Sequence, residues 1–188
     1  MAVVVGPNIN VSNASGNQAE ETIALNPANP LNLIAASNDL GFTFNDPSWF
    51  STNGGLTWTF SPIPNLPGRF ASGDPSVVFD RQGDAYFAHL DGVGISIAKS
   101  TNGGATWTAV TLPTPAGFTD KEFFGIGPDV NNLAQDRVYI AYHVNNVQFI
   151  NSSTDGVNWS APVQVSDAGD VGINAQVAVA QDGTVYMA

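Results

Sequence analysis

The chain has 188 residues, five basic side chains against sixteen acidic ones, a net charge of −11 and no cysteine. The acidic balance argues against nucleic acid or an anionic membrane as a partner, and the missing cysteine excludes a disulfide frame and thiolate chemistry. Only 11% of residues are charged, and Gly, Asn, Ser, Thr and Pro fill the gap, a composition of short strands joined by turns.

The opening "MAVVVGPNIN" has neither the basic nor the long apolar region of a signal peptide. The expectation is a secreted or cell-surface protein whose targeting segment lies outside this sequence, with a cytoplasmic protein as the alternative. "NINVSNASGNQAE" runs in phase with "PVQVSDAGDVGIN", so residues 1–19 are predicted to be a leading outer strand. Residues 20–72 then read as four strands, "TIAL", "LIAAS", "SWFS" and a last one that starts at Trp58 after the turn "STNGGLTWTF". The pattern returns over 73–119 ("SVVF", "AYFAH", "ISIAKS", "STNGGATWTA") and 120–168 ("FFGI", "VYIAY", "QFINS", "SSTDGVNWSA"). Residues 169–188 hold a partial unit, "VAVA" and "VYMA". Period-two alternation and β-branched or aromatic enrichment mark strands throughout, with no helical period.

Trp58, Trp107 and Trp159 fall 49 and 52 positions apart. That spacing suits one four-stranded propeller blade per repeat. The predicted fold is therefore all-β: a β-propeller of four-stranded antiparallel blades, about three and a half of them in this chain. The repeated motif lies in the turn between the third and fourth strands. There Gly55, Gly104 and Gly156 supply left-handed backbone, and Ser51 and Asn53 satisfy turn amides.

The motif Ser-x-Asp-x-Gly-x-Thr-Trp is the Asp-box, and on it the chain resembles the sialidase-like Asp-box propellers, also called bacterial neuraminidase repeats. Ser51, Gly55, Thr57 and Trp58 match, as do Ser100, Gly104, Thr106 and Trp107, with Asn53 and Asn102 where the family has Asp. The third copy departs further and is read as Ser152, Gly156 and Trp159, with Thr154 in the Asp position. The resemblance implies a structural role for these turns, on the face away from the family's active site.

The opposite face takes the loops that join blades and the loops after each second strand. Candidate binding residues there are Arg69, His89, Asp91, Asp120, Lys121 and His143, and candidate catalytic carboxylates are Asp74 and Glu122. Glu20, Asp74, Lys121 and Asn174 hold equivalent positions at the starts of the inner strands, and two carboxylates flanking a glycosidic bond suffice for hydrolysis. A sialidase of the family uses an arginine triad; of the three arginines here, Arg81 and Arg137 fall on the turn face, leaving Arg69 alone. No metal-ligand spacing occurs, and no cofactor is expected. The expected function is a glycan- or extracellular-polymer-binding module without a complete sialidase site. The alternatives are a glycoside hydrolase completed by further blades or a second chain, and a purely structural propeller. The open edge at the last strand predicts self-association, most simply a dimer that closes the ring.

Overall fold

The computed structural model describes residues 6–40, 46–167 and 169–188. It is all-β. The first sheet runs β1 (Gln18–Leu25), β2 (Leu33–Asp39), β3 (Ser48–Ser51), β4 (Thr59–Ser61), and the second β5 (Gly73–Phe79), β6 (Ala85–Leu90), β7 (Ile95–Ser100), β8 (Thr108–Thr111). The third is β9 (Thr119–Asp129), β10 (Asn132–Val144), β11 (Val147–Ser153), β12 (Val163–Gln164), and β13 (Val177–Val179) with β14 (Val185–Met187) forms a two-stranded fourth. All pairings are antiparallel and follow chain order, as hairpin connections dictate. The sheets stack by their faces, with β1 against β5, β5 against β9 and β9 against β13.

Two apolar layers fill the joints between successive sheets. Ile34 and Ala36 of the first sheet pack on Val77, Phe79, Ala85, Phe87 and Ala98 of the second. Ala88, Ile95, Ile97 and Val110 of the second pack on Ile140, Tyr142 and Val144 of the third. The third joint is lined by glycine. A Cβ on Gly125 would stand 2.6 Å from Val177 Cγ1, and one on Gly127 2.7 Å from Val179, so glycine in β9 is what lets the fourth sheet approach.

The turns are held by their own side chains. Ser51 Oγ accepts from the Gly55 amide at 2.9 Å, Asn53 Oδ1 accepts from the Thr57 amide at 3.0 Å, and Trp58 Nε1 donates to the Gly55 carbonyl at 2.9 Å. Ser100 and Asn102 repeat the first two bonds at Gly104 and Thr106. Trp107 does not repeat the third; its ring stands edge-on to Phe87 at 5.9 Å, sealing the first joint. In the third turn the hydroxyl that accepts from Gly156 belongs to Ser153, not Ser152, and the carboxylate that caps Val157 and Asn158 belongs to Asp155, not Thr154. This turn is one residue shorter than the others, so the serine nearest the glycine takes the role. Ser152 instead receives Arg137 Nη1.

Residues 6–17 form no strand, which corrects the expected leading outer strand for the described part of 1–19. Asn10 Oδ1 accepts from the Asn13 amide and Ser12 Oγ from the Ala14 amide, local bonds that compete with a ladder. The two-stranded fourth sheet also offers no third strand for this segment to pair with.

Candidate functional site

Each of the first three inner strands carries a bulge at its start. Glu20 and Glu21 together oppose Ser37, Asp74 and Pro75 oppose His89, and Lys121 and Glu122 oppose Tyr142. The first residue of each pair has left-handed backbone, with φ of 54° at Glu20, 58° at Asp74 and 53° at Lys121; Asn174 shares it at 63°. None is glycine, so each bulge costs on the order of 1–2 kcal/mol in backbone strain. Strain repeated at equivalent positions bends the strands and re-aims charged side chains toward one mouth.

The side chains meet there. Lys121 Nζ donates to Glu20 Oε1 at 3.0 Å and lies 3.1 Å from Asp74 Oδ2, bridging three sheets. Partial burial alone would lower the Lys121 pKa, but the bonds and charges of Glu20 and Asp74 outweigh it and raise it. Asn38, at the end of β2, donates to Glu20 Oε2 and accepts from the Asp74 amide at 2.7 Å. Around these groups lies a cavity of about 300 Å³ lined by Glu20, Glu21, Asp74, Lys121, Glu122 and Phe123.

A second, buried layer sits beneath. Glu122 is 2% exposed, and neither carboxyl oxygen has a hydrogen-bond partner among the described residues. Burial, with Asp74, Asp46 and Asp120 as like-charged neighbours, pushes its pKa well above the usual carboxylate range. Lys121, the adjacent cation, is already committed to Glu20 and Asp74. His89 Nδ1 is 3.0 Å from Asp46 Oδ2, which also accepts from the Gly73 amide at the bulge. His143 is buried below Phe118, with ring centroids 6.4 Å apart, and its Nε2 lies 3.8 Å from Asp120 Oδ2.

The candidates therefore divide. Asp74 and Lys121 stand at the mouth, joined by Glu20, which was seen in the sequence only as an equivalent position. Glu122, His89 and His143 lie under it. Asp91 is a loop organiser: its carboxylate accepts from Ser96 Oγ, the Val93 and Gly94 amides and Arg69. Burial would raise the Asp91 pKa, but these hydrogen bonds take it below the ordinary value. Arg69 is spent on that pair, Arg81 on Asp136 and Arg137 on Asp129. Among the described residues no group of three or more His, Asp or Glu is arranged to hold a metal ion. Phe123, which lines the cavity, was missed; it stands two positions after Lys121 in "DKEFF", where an aromatic residue at a strand start reads as core.

No protein-family model and no curated protein matches the chain. Solved structures do. A sialidase of Trypanosoma rangeli matches over 87% of this chain and 28% of its own, at 16% identity and a TM-score of 0.61. The α-L-arabinanase of Penicillium chrysogenum, complexed with arabinobiose, matches over 95% of this chain and 61% of its own, at 15% identity and TM-score 0.62. An ancestral GH74 enzyme matches over 88% and 23% respectively, at 23% identity and TM-score 0.56. The chain thus spans from about a quarter to three fifths of these proteins. The likeness shows the fold, a propeller of the sialidase and glycosidase type.

Proposed function

We propose that the chain is a glycan-recognising module of the sialidase-like, Asp-box type, whose mouth face takes neutral sugars or a neutral extracellular polymer. The observation that carries this reading is the set of three bulges, which hold Glu20, Asp74 and Lys121 at one cavity at a cost in strain that packing alone would not require. Carboxylates and an ammonium with free lone pairs and protons match the hydroxyls of a sugar, and Phe123 in the lining of the same cavity adds an apolar surface. An anionic sugar meets the wrong field, since every arginine is held by a carboxylate and no planar fork is left to bind a carboxylate. That supports a module without a complete sialidase site.

Calorimetry with arabinohexaose, cellohexaose and 3′-sialyllactose tests the reading. A neutral oligosaccharide binds and loses about tenfold in affinity with Lys121→Met, while the sialylated sugar does not bind. A blank across neutral and acidic glycans overturns it.

Buried, unpartnered Glu122 favours a second reading, a glycoside hydrolase whose site further blades or a second chain would complete. A carboxyl whose pKa burial raises is suited to act as a general acid. Turnover of a chromogenic glycoside panel that disappears with Glu122→Gln would place this reading first.

A further inference from the structure

The first two turns carry the same five residues, Ser-Thr-Asn-Gly-Gly, at 51–55 and 100–104. Each therefore holds an Asn-Gly step, in which the amide after the asparagine is least hindered from reaching its side chain, because glycine has no Cβ. An equal local sequence gives an equal intrinsic reactivity, so a difference between Asn53 and Asn102 comes from the fold.

The fold treats the two side chains alike. Asn53 Oδ1 accepts from the Thr57 amide and Ser51 Oγ, both at 3.0 Å, and Asn102 Oδ1 from the Thr106 amide and Ser100 Oγ, both at 2.9 Å. Nδ2 donates to the hydroxyl of Thr57 or Thr106. Two donors on Oδ1 polarise the Cγ carbonyl and stand where negative charge gathers when a nucleophile adds to it. The turns differ at the nucleophile. The Gly54 amide donates to the Leu31 carbonyl at 2.8 Å. The Gly103 amide has no partner among the described residues; Asn32 Nδ2 holds the Gly103 carbonyl instead, at 2.9 Å. Asn102 is also exposed, whereas Asn53 is half-buried.

We propose that Asn102 is a self-modification site, at which the Gly103 amide nitrogen attacks Cγ and the residue becomes aspartate, and that the bond to Leu31 holds Asn53 back. The conversion needs only water. A bond forms between Gly103 N and Asn102 Cγ and the Cγ–Nδ2 bond breaks, Nδ2 leaving as ammonia with the proton that the amide gives up. Water then opens the cyclic imide. Addition at Cγ restores the main chain with an aspartate; addition at the main-chain carbonyl leaves a β-linked isoaspartate. Nothing is oxidised or reduced. The donors on Oδ1 favour addition at Cγ.

The product fits the turn. In the third turn a carboxylate already has this role: Asp155 Oδ1 accepts from Ser153 Oγ and the Val157 and Asn158 amides, and Oδ2 from Asn158 Nδ2. Burial works against that charge, yet the bonds take the Asp155 carboxyl below the ordinary carboxylate range. At position 102 the Thr106 hydroxyl, which accepts from Nδ2, turns to donate to the new oxygen, and bonds to a carboxylate are the stronger ones.

Incubation of the folded chain at mildly alkaline pH, followed by peptide mapping with fragmentation that separates aspartate from isoaspartate, tests this. Asn102 gains the mass difference of oxygen over NH, mainly as aspartate. Asn53 lags about fivefold, the factor that one ordinary hydrogen bond is worth, and the lag disappears in urea, where the two identical stretches convert alike. Asn102→Asp, the product made directly, keeps the native circular dichroism and melts no lower than wild type. An Asn102 that stays intact in the folded chain while converting in urea, equal rates at the two asparagines of the folded chain, isoaspartate as the main product at Asn102, or an early-melting Asn102→Asp variant would each overturn the inference.

Discussion

Glu122 sits where its charge has no support. Its carboxyl is buried, both oxygens are unpartnered, and Asp74, Asp46 and Asp120 are the charges around it. The sign of the consequence follows from linkage. A carboxyl whose folded pKa is raised contributes its stability fully below its unfolded pKa, and loses it as pH rises toward the folded value. Glu122→Gln removes the titration while keeping the shape. The variant should match wild type at about pH 4, and exceed it by on the order of 1–3 kcal/mol at about pH 8, the cost of a buried group left without a partner. Urea unfolding of both chains at the two pH values checks this; a difference that does not grow with pH would show that Glu122 is ionised and supported. No sequence pattern announced the burial. "DKEFF" reads as the charged start of an inner strand with Glu122 as a catalytic candidate, and only the bulge turns Lys121 out to the mouth and Glu122 under it.

At the scale of the element, the turns and bulges are two answers to the same need for left-handed backbone. The turns answer with glycine, which adopts it without cost, and that made them legible in the sequence as repeats. The bulges answer with Glu20, Asp74 and Lys121, and the approach to β13 with Asn174, so nothing in their residue types betrayed them, although their equivalent spacing was visible. The shortened third turn was misread for a related reason: alignment on tryptophan selects Ser152, whereas the hydrogen bond is decided at the glycine end and selects Ser153. Two glycines separate strain from crowding. Gly55 has φ of 85° and its nearest neighbour for an added methyl is Trp58 at 3.6 Å, so Gly55→Ala should cost about 1 kcal/mol from backbone alone. Gly156 has φ of 68°, and an added methyl would strike the buried ring of Tyr86, itself fixed by a 2.9 Å bond to Asp80. Gly156→Ala should cost about 3 kcal/mol or more. Thermal melts of the two variants give the comparison, and equal losses would mean that the Tyr86 ring yields freely.

For the whole molecule, four sheets in chain order were readable because hairpins leave little choice of topology, while the fate of the two ends was not. The first segment was expected to pair and instead folds on its own side chains. The net charge of −11 acts at the same scale. Like charges repel one another more strongly in the compact chain than in the unfolded one. Screening shortens the Debye length from about 14 Å at 50 mM to about 4 Å at 500 mM, which removes most of that repulsion and leaves the apolar joints between sheets intact. The midpoint of thermal unfolding should therefore rise across that range. Thermal melts at the two ionic strengths check it: a midpoint that falls with salt would show that ion pairs such as Lys121 with Glu20 and Asp74 outweigh the net repulsion.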